Sequence, residues 1–142
     1  MSKVAEVLAR LLRDLHADRS AYARLRELLE EQFQAALRHH SEQLSALAAD
    51  IVALVEQLDQ RRAVRSELLL ALLGRNSKPS VEALLQRLSG ASAQTLAAAW
   101  QGLEQQVIEC KALNLRNCQL ITDQHALMLR VLGVEEASYA EC

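Results

Sequence analysis

The sequence predicts an all-α fold, an elongated antiparallel helical hairpin or coiled-coil bundle of three long helices and one short one. Leucine and alanine supply 51 of the 142 residues, 28 and 23 respectively, and both are strong helix formers. Glycine and proline together total five, too few for the tight corners of a sheet-rich fold. Apolar residues recur at steps of three and four over long stretches, the spacing that lines one face of a helix.

The first helix is expected over 3–37. Its seam runs Val4, Leu8, Leu11, Leu15, Asp18, Tyr22, Leu25, Leu29, Gln32 and Ala36, polar at Asp18 and Gln32. Residues 3–73 contain neither Gly nor Pro. One straight helix of that length would span ~105 Å and leave its apolar stripe in water, so the chain is expected to turn back. Arg38, His39, His40 and Ser41 mark the turn, because they carry no apolar side chain and Ser41 can cap a new helix; Asp18, Arg19 and Ser20 are a second weak point. The second helix follows over 41–73, with its seam at Leu44, Leu47, Ile51, Leu54, Leu58, Arg61, Arg65, Leu68 and Leu72. Arg61 and Arg65 interrupt that seam. They either pair locally with Glu56, Asp59 and Glu67, or lay their stems on the apolar surface and reach Asp18 across the hairpin.

Gly74 and the only proline, Pro79, close the second helix. A short helix is expected over 80–88, with Ser80 as its N-cap and Glu82 in the first turn, where negative charge suits the helix dipole. Gly90 reads as a stop and Ser92 as the cap of a last helix over 92–132. That helix carries Leu96, Trp100, Leu103, Val107, Cys110, Asn114, Asn117, Ile121, Gln124, Met128 and Val131, with a second stripe at Leu113, Leu120 and Leu127. Gly133 ends it, and 134–142 is expected to be a loose tail of one domain covering 1–142.

Composition narrows the function. The longest unbroken apolar run, 68–73, is far short of the ~20 residues a bilayer needs. The amino-terminal stretch mixes charges into its apolar stripe and is no secretory signal. A net charge of −2 gives no pull towards nucleic acid. Three widely spaced cysteines form no disulfide framework, which points to a reducing, cytoplasmic compartment. His16, His39, His40 and His125 are scattered, without metal-ligand spacing, and no phosphate-binding glycine loop or nucleophile elbow occurs. No catalysis, metal or cofactor is therefore expected.

Two features point to binding. Asn114 and Asn117 sit on or beside an apolar seam, where helix propensity would not place them. They either set register inside the bundle or orient a docked helix. The last helix is also apolar on more than one side, so it either packs on two neighbours or keeps a face free for another helix.

The run at 110–121, with Leu113-Asn114, Asn117 and Leu120-Ile121, resembles the C-terminal part of the flagellar export chaperone family FlgN. So does the leucine-rich continuation at 127–133, with Tyr139 in the tail. The segments 31–37 and 54–62 and the pair Leu44 and Leu47 are similar to that family's two amino-terminal helices. The chain departs from the family in having Cys118 after the second asparagine and a short tail after Tyr139. The resemblance implies a cytoplasmic, non-enzymatic chaperone of type III export. Such a protein covers the helical terminal segments of the hook–filament junction proteins FlgK and FlgL and delivers them to the export-gate protein FlhA. It makes Leu113, Asn114, Asn117, Leu120, Ile121, Leu127, Met128 and Val131 the client-binding candidates and Tyr139 the export-gate contact. A chaperone for another export client and a purely structural coiled coil stay open beside it. So does a homodimer, because heptad seams serve within and between chains.

Overall fold

The computed structural model describes residues 2–74 and 78–133. Its elements are α1 (Lys3–Leu37), α2 (Ser41–Leu73), α3 (Val81–Arg87) and α4 (Gly90–Val131). Each helix end has a local cause. The Ser2 hydroxyl accepts from the Ala5 amide at 3.2 Å and opens α1. The chain then reverses through a Schellman motif in which the His39 amide donates to Ala36 O at 3.2 Å and the His40 amide to Ala35 O at 3.0 Å. His39 takes the left-handed position at φ 56°, a place glycine usually fills. Arg38, His39 and His40 complete the turn, so Ser41 is already helical. The cap position of α2 falls on His40, whose side chain makes no capping bond. Gly74, at φ 85°, ends α2. Ser80 caps α3 by accepting from the Ala83 amide at 3.0 Å.

The start of α4 differs from the reading of Gly90 as a stop and Ser92 as a cap. α3 already ends at Arg87, and Leu88 and Ser89 are extended. Gly90 is the first residue of α4, at φ 71°, and that left-handed conformation swings the extended chain into the helix. Ser92 lies inside the first turn.

α1 is the central element. α2 packs antiparallel on one flank and α4 packs parallel on the other, while the Cα traces of α2 and α4 nowhere come within 8 Å. The largest apolar cluster lies at one end, here called proximal. Leu11 and Leu15 of α1, Leu69 and Leu73 of α2, Val81 and Leu84 of α3, and Leu96, Ala99 and Leu103 of α4 meet there. Each leucine fully buried this way contributes roughly 1.5–3 kcal/mol. A middle cluster joins Ala21, Leu25 and Leu29 to Leu58 and Cys110. The distal cluster, Leu28, Ala35 and Leu47, draws on α1 and α2 only.

The polar residues in the α1 and α2 seams find each other across the hairpin. Arg61 Nε donates to Asp18 Oδ1 at 2.5 Å, and an Arg65 terminal nitrogen donates to Asp18 Oδ2 at 2.6 Å. Asp18 is 2% exposed, so its charge is held by two guanidiniums rather than water. Arg65 also stacks over Trp100, 5.7 Å from the ring centroid, and Trp100 Nε1 donates to Glu82 at 3.0 Å. One chain of polar contacts therefore crosses all four helices beside the proximal cluster.

Candidate functional site

A ladder of side-chain donors holds α4 to the backbone of α1. Gln106 Nε2 donates to Arg19 O at 3.0 Å, and Cys110 Sγ donates to Tyr22 O at 3.6 Å. Asn117 Nδ2 donates to Leu29 O at 2.7 Å, and Gln124 Nε2 to Ala36 O at 3.0 Å. The last three rungs each join residues 88 positions apart. Equal offsets and steps of seven mean that one face of α4 tracks α1 in parallel register throughout. Asn117 also donates to Gln32 Oε1 at 2.9 Å, so the polar breaks in the two seams answer each other. On the flank beside it, Arg116 reaches Glu30 at 3.3 Å and stacks 3.8 Å over the Phe33 ring.

Electrostatics agree with burial at the middle of the ladder. Burial pushes the Cys110 thiol above its ordinary value, and nearby Glu109 adds to the shift. Tyr22 is raised too, by burial first and by Asp18 second.

The ladder and α1 end together, but α4 does not. After Cys110 the only buried residue of α4 is Asn117. Steps of seven from Asn117 pass through Gln124 to Val131, yet α1 has stopped at Leu37. The α1-facing line of α4 therefore runs on past its partner for about a turn and a half. There Leu127 and Met128 are each 59% exposed and Val131 is 77% exposed. Burying such side chains is worth roughly 25 cal/mol per Å², so leaving them in water is costly unless something else covers them.

A groove lies beside the middle cluster. Tyr22, Leu25 and Leu29 floor it, Ile51 and Val55 form one wall, and Val107, Lys111 and Asn114 form the other, around a cavity of about 210 Å³. A second cavity of about 290 Å³, between Leu58 and Arg62 on one side and Val107 and Ile108 on the other, continues it towards the proximal end.

The sequence-derived candidates are thus divided by α1 rather than gathered on one face. Asn117 faces α1 and is 1% exposed, so a partner reaches it only by displacing α1. Asn114 is exposed on the groove wall, and Ile121 and Met128 follow it at steps of seven. Leu113 is half-buried against the middle cluster, and Leu120 is also half-buried. Leu127, Met128 and Val131 form the open end. Tyr139 and the rest of 134–142 lie outside the described residues. Sequence reasoning missed the second wall, Ile51 and Val55, and the exposed Leu37 and Leu132 beside the open end. The last two follow only from the i+88 register, a long-range property of the fold that shows α4 outrunning α1.

Among the described residues no group of His, Cys, Asp and Glu could hold a metal ion, and no helix is long and apolar enough to cross a membrane. No curated protein and no solved structure matches the chain. The family model described as FlgN protein matches residues 1–134. That match covers α1 to α4 together with the open end of α4, and the chain belongs to the FlgN family of flagellar export chaperones.

Proposed function

We propose that this chaperone binds the helical terminal segments of the junction proteins FlgK and FlgL in the cytoplasm and hands them to the export-gate protein FlhA. One observation carries the reading: the seam of α4 outlasts α1 and leaves Leu127, Met128 and Val131 open. A segment that will later join a coiled coil has an apolar stripe that must be covered until export. A helix with a matching free stripe can cover it. Ile121 and the groove residue Asn114 extend the same surface, while Leu113, Asn117 and Leu120 act by holding α4 in place beneath it. Tyr139 is the proposed contact to FlhA, separate from the client surface.

Titration calorimetry with the FlgK and FlgL terminal segments tests this. The double variant L127E/V131E should lose binding by at least ~100-fold while keeping its helical circular dichroism, because both side chains are already in water. Y139A should keep client affinity and lose affinity for FlhA. Unfolding of L127E/V131E would favour a structural coiled coil, and unchanged affinity would reject the surface.

A further inference from the structure

The open end has a charge character of its own. The chain is acidic overall at −2, yet 32–41 and 124–133 contain no Asp or Glu. Those two stretches carry Arg38, His39 and His40 in the turn at the end of α1, and His125 and Arg130 on α4. All five are exposed. Gln124 bonded to Ala36 O places the α1–α2 turn at the foot of the overhang. The open end is therefore a notch, with an apolar wall from α4 and Arg38 of the turn at its floor.

The register of α1 on α4 says what fits it. Asn117 faces Leu29, and Arg116, one residue earlier, pairs with Glu30, one residue later. Two heptads on, Val131 takes the place of Asn117 and Arg130 the place of Arg116. No carboxylate among the described residues pairs with Arg130. We propose that the notch accepts a partner helix that continues the path of α1 along α4, with an apolar residue opposite Val131 and carboxylates facing Arg130 and Arg38. This deepens the client-binding reading above and rests on it. The interface between α1 and α4 supplies the template, and Arg38 and Arg130, in stretches that hold no Asp or Glu, supply the charge complementarity.

The test uses the full chain and three fluorescein-labelled amphipathic peptides with one apolar stripe, differing only in flanking Glu, Gln or Lys. Anisotropy should show the Glu peptide binding about tenfold tighter than the Lys peptide at low salt, as two or three exposed ion pairs would give, and high salt should erase the difference. R38E/R130E should reverse the order, and R38Q/R130Q should level it. Equal affinities for all three peptides, or an order that R38E/R130E leaves unchanged, would overturn the proposal while the client reading stands. Failure of every peptide to bind would remove both. An advantage that emerges only in E135Q/E136Q/E141Q would assign the notch to the chain's own carboxylates. Dimers in sedimentation that R38E/R130E dissociates would assign it to a second copy. Either result would overturn a partner helix.

Discussion

The two ends of this molecule are built by opposite means. At the proximal end four helices share one apolar cluster, and the short α3 seals it with Val81 and Leu84. At the distal end the apolar cluster belongs to α1 and α2 alone, and α4 is attached there by amide hydrogen bonds to α1 carbonyls. A neutral hydrogen bond nets about 1 kcal/mol, whereas a buried leucine nets two or three times that. Stability is thus concentrated proximally. The distal rungs fix register at little energetic gain and leave apolar side chains free. The proposed client surface needs both properties, a firm anchor elsewhere and an orientation set by polar contacts.

Truncating one apolar side chain at each end should expose this contrast most strongly. Leu15→Ala removes a side chain that is 0% exposed in the four-helix cluster and should cost about 2–5 kcal/mol in urea unfolding. Val131→Ala, at 77% exposure, should change stability by less than about 0.5 kcal/mol. Similar losses at both sites would mean that the distal end is packed as tightly as the proximal one.

Asp18 comes next, because it ties the two helices of the hairpin at the edge of the proximal cluster. Asp18→Asn leaves Arg61 and Arg65 facing a neutral amide. It should cost about 2–4 kcal/mol, less than a fully buried pair would, since the two arginine side chains keep 29% and 12% exposure. The exchange Asp18→Arg with Arg61→Asp should recover part of that loss. No recovery would show that burial of Asp18, and not its pairing, sets the cost.

The middle cluster, where the two regimes join, should respond to alkali. Cys110 and Tyr22 both hold their protons more tightly in the native state than at their ordinary values of 9.0 and 10.0. Above pH 9 the unfolded chain therefore ionises first, and the contribution of these groups, whole below that pH, is lost as pH rises through their native values. The urea midpoint should fall between pH 8 and pH 10.5, and fall less in C110A/Y22F. Equal falls would place the alkaline loss elsewhere.

Much of this contrast was legible in the residues. Seam steps of three and four marked the long helices, and the polar interruptions at Asp18, Arg61 and Arg65 matched across a hairpin. The two asparagines were ambiguous, since Asn114 and Asn117 are three residues apart on one apolar helix. Only the parallel register of α4 on α1, a long-range property, turns Asn117 inward and leaves Asn114 on the groove wall. The overhang at Val131 was hidden for the same reason. A stripe shows where a helix is apolar but not where its neighbour stops. Ser41 misled as a cap because the turn closes through backbone bonds that need no particular side chain.

Two residues that break local propensity should give the smallest effects, one in each region. Gly102 sits inside α4, and a Cβ there would meet the Arg19 guanidinium at 2.9 Å. That group is the end of a flexible side chain, exposed on α1, and it can swing aside. Gly102→Ala should therefore gain close to the helix propensity difference, about 0.5–1 kcal/mol. His39 is the reverse case, a side chain at φ 56° where glycine would rest without strain. His39→Gly should gain up to about 1 kcal/mol through relief of that strain, offset in part by the freer unfolded chain. The gain should come without loss of the Schellman bonds, since both use backbone atoms. If His39→Gly instead destabilises the chain in urea, the imidazole makes a distal contact worth more than the strain it carries. The distal end would then hold more than its hydrogen-bond ladder.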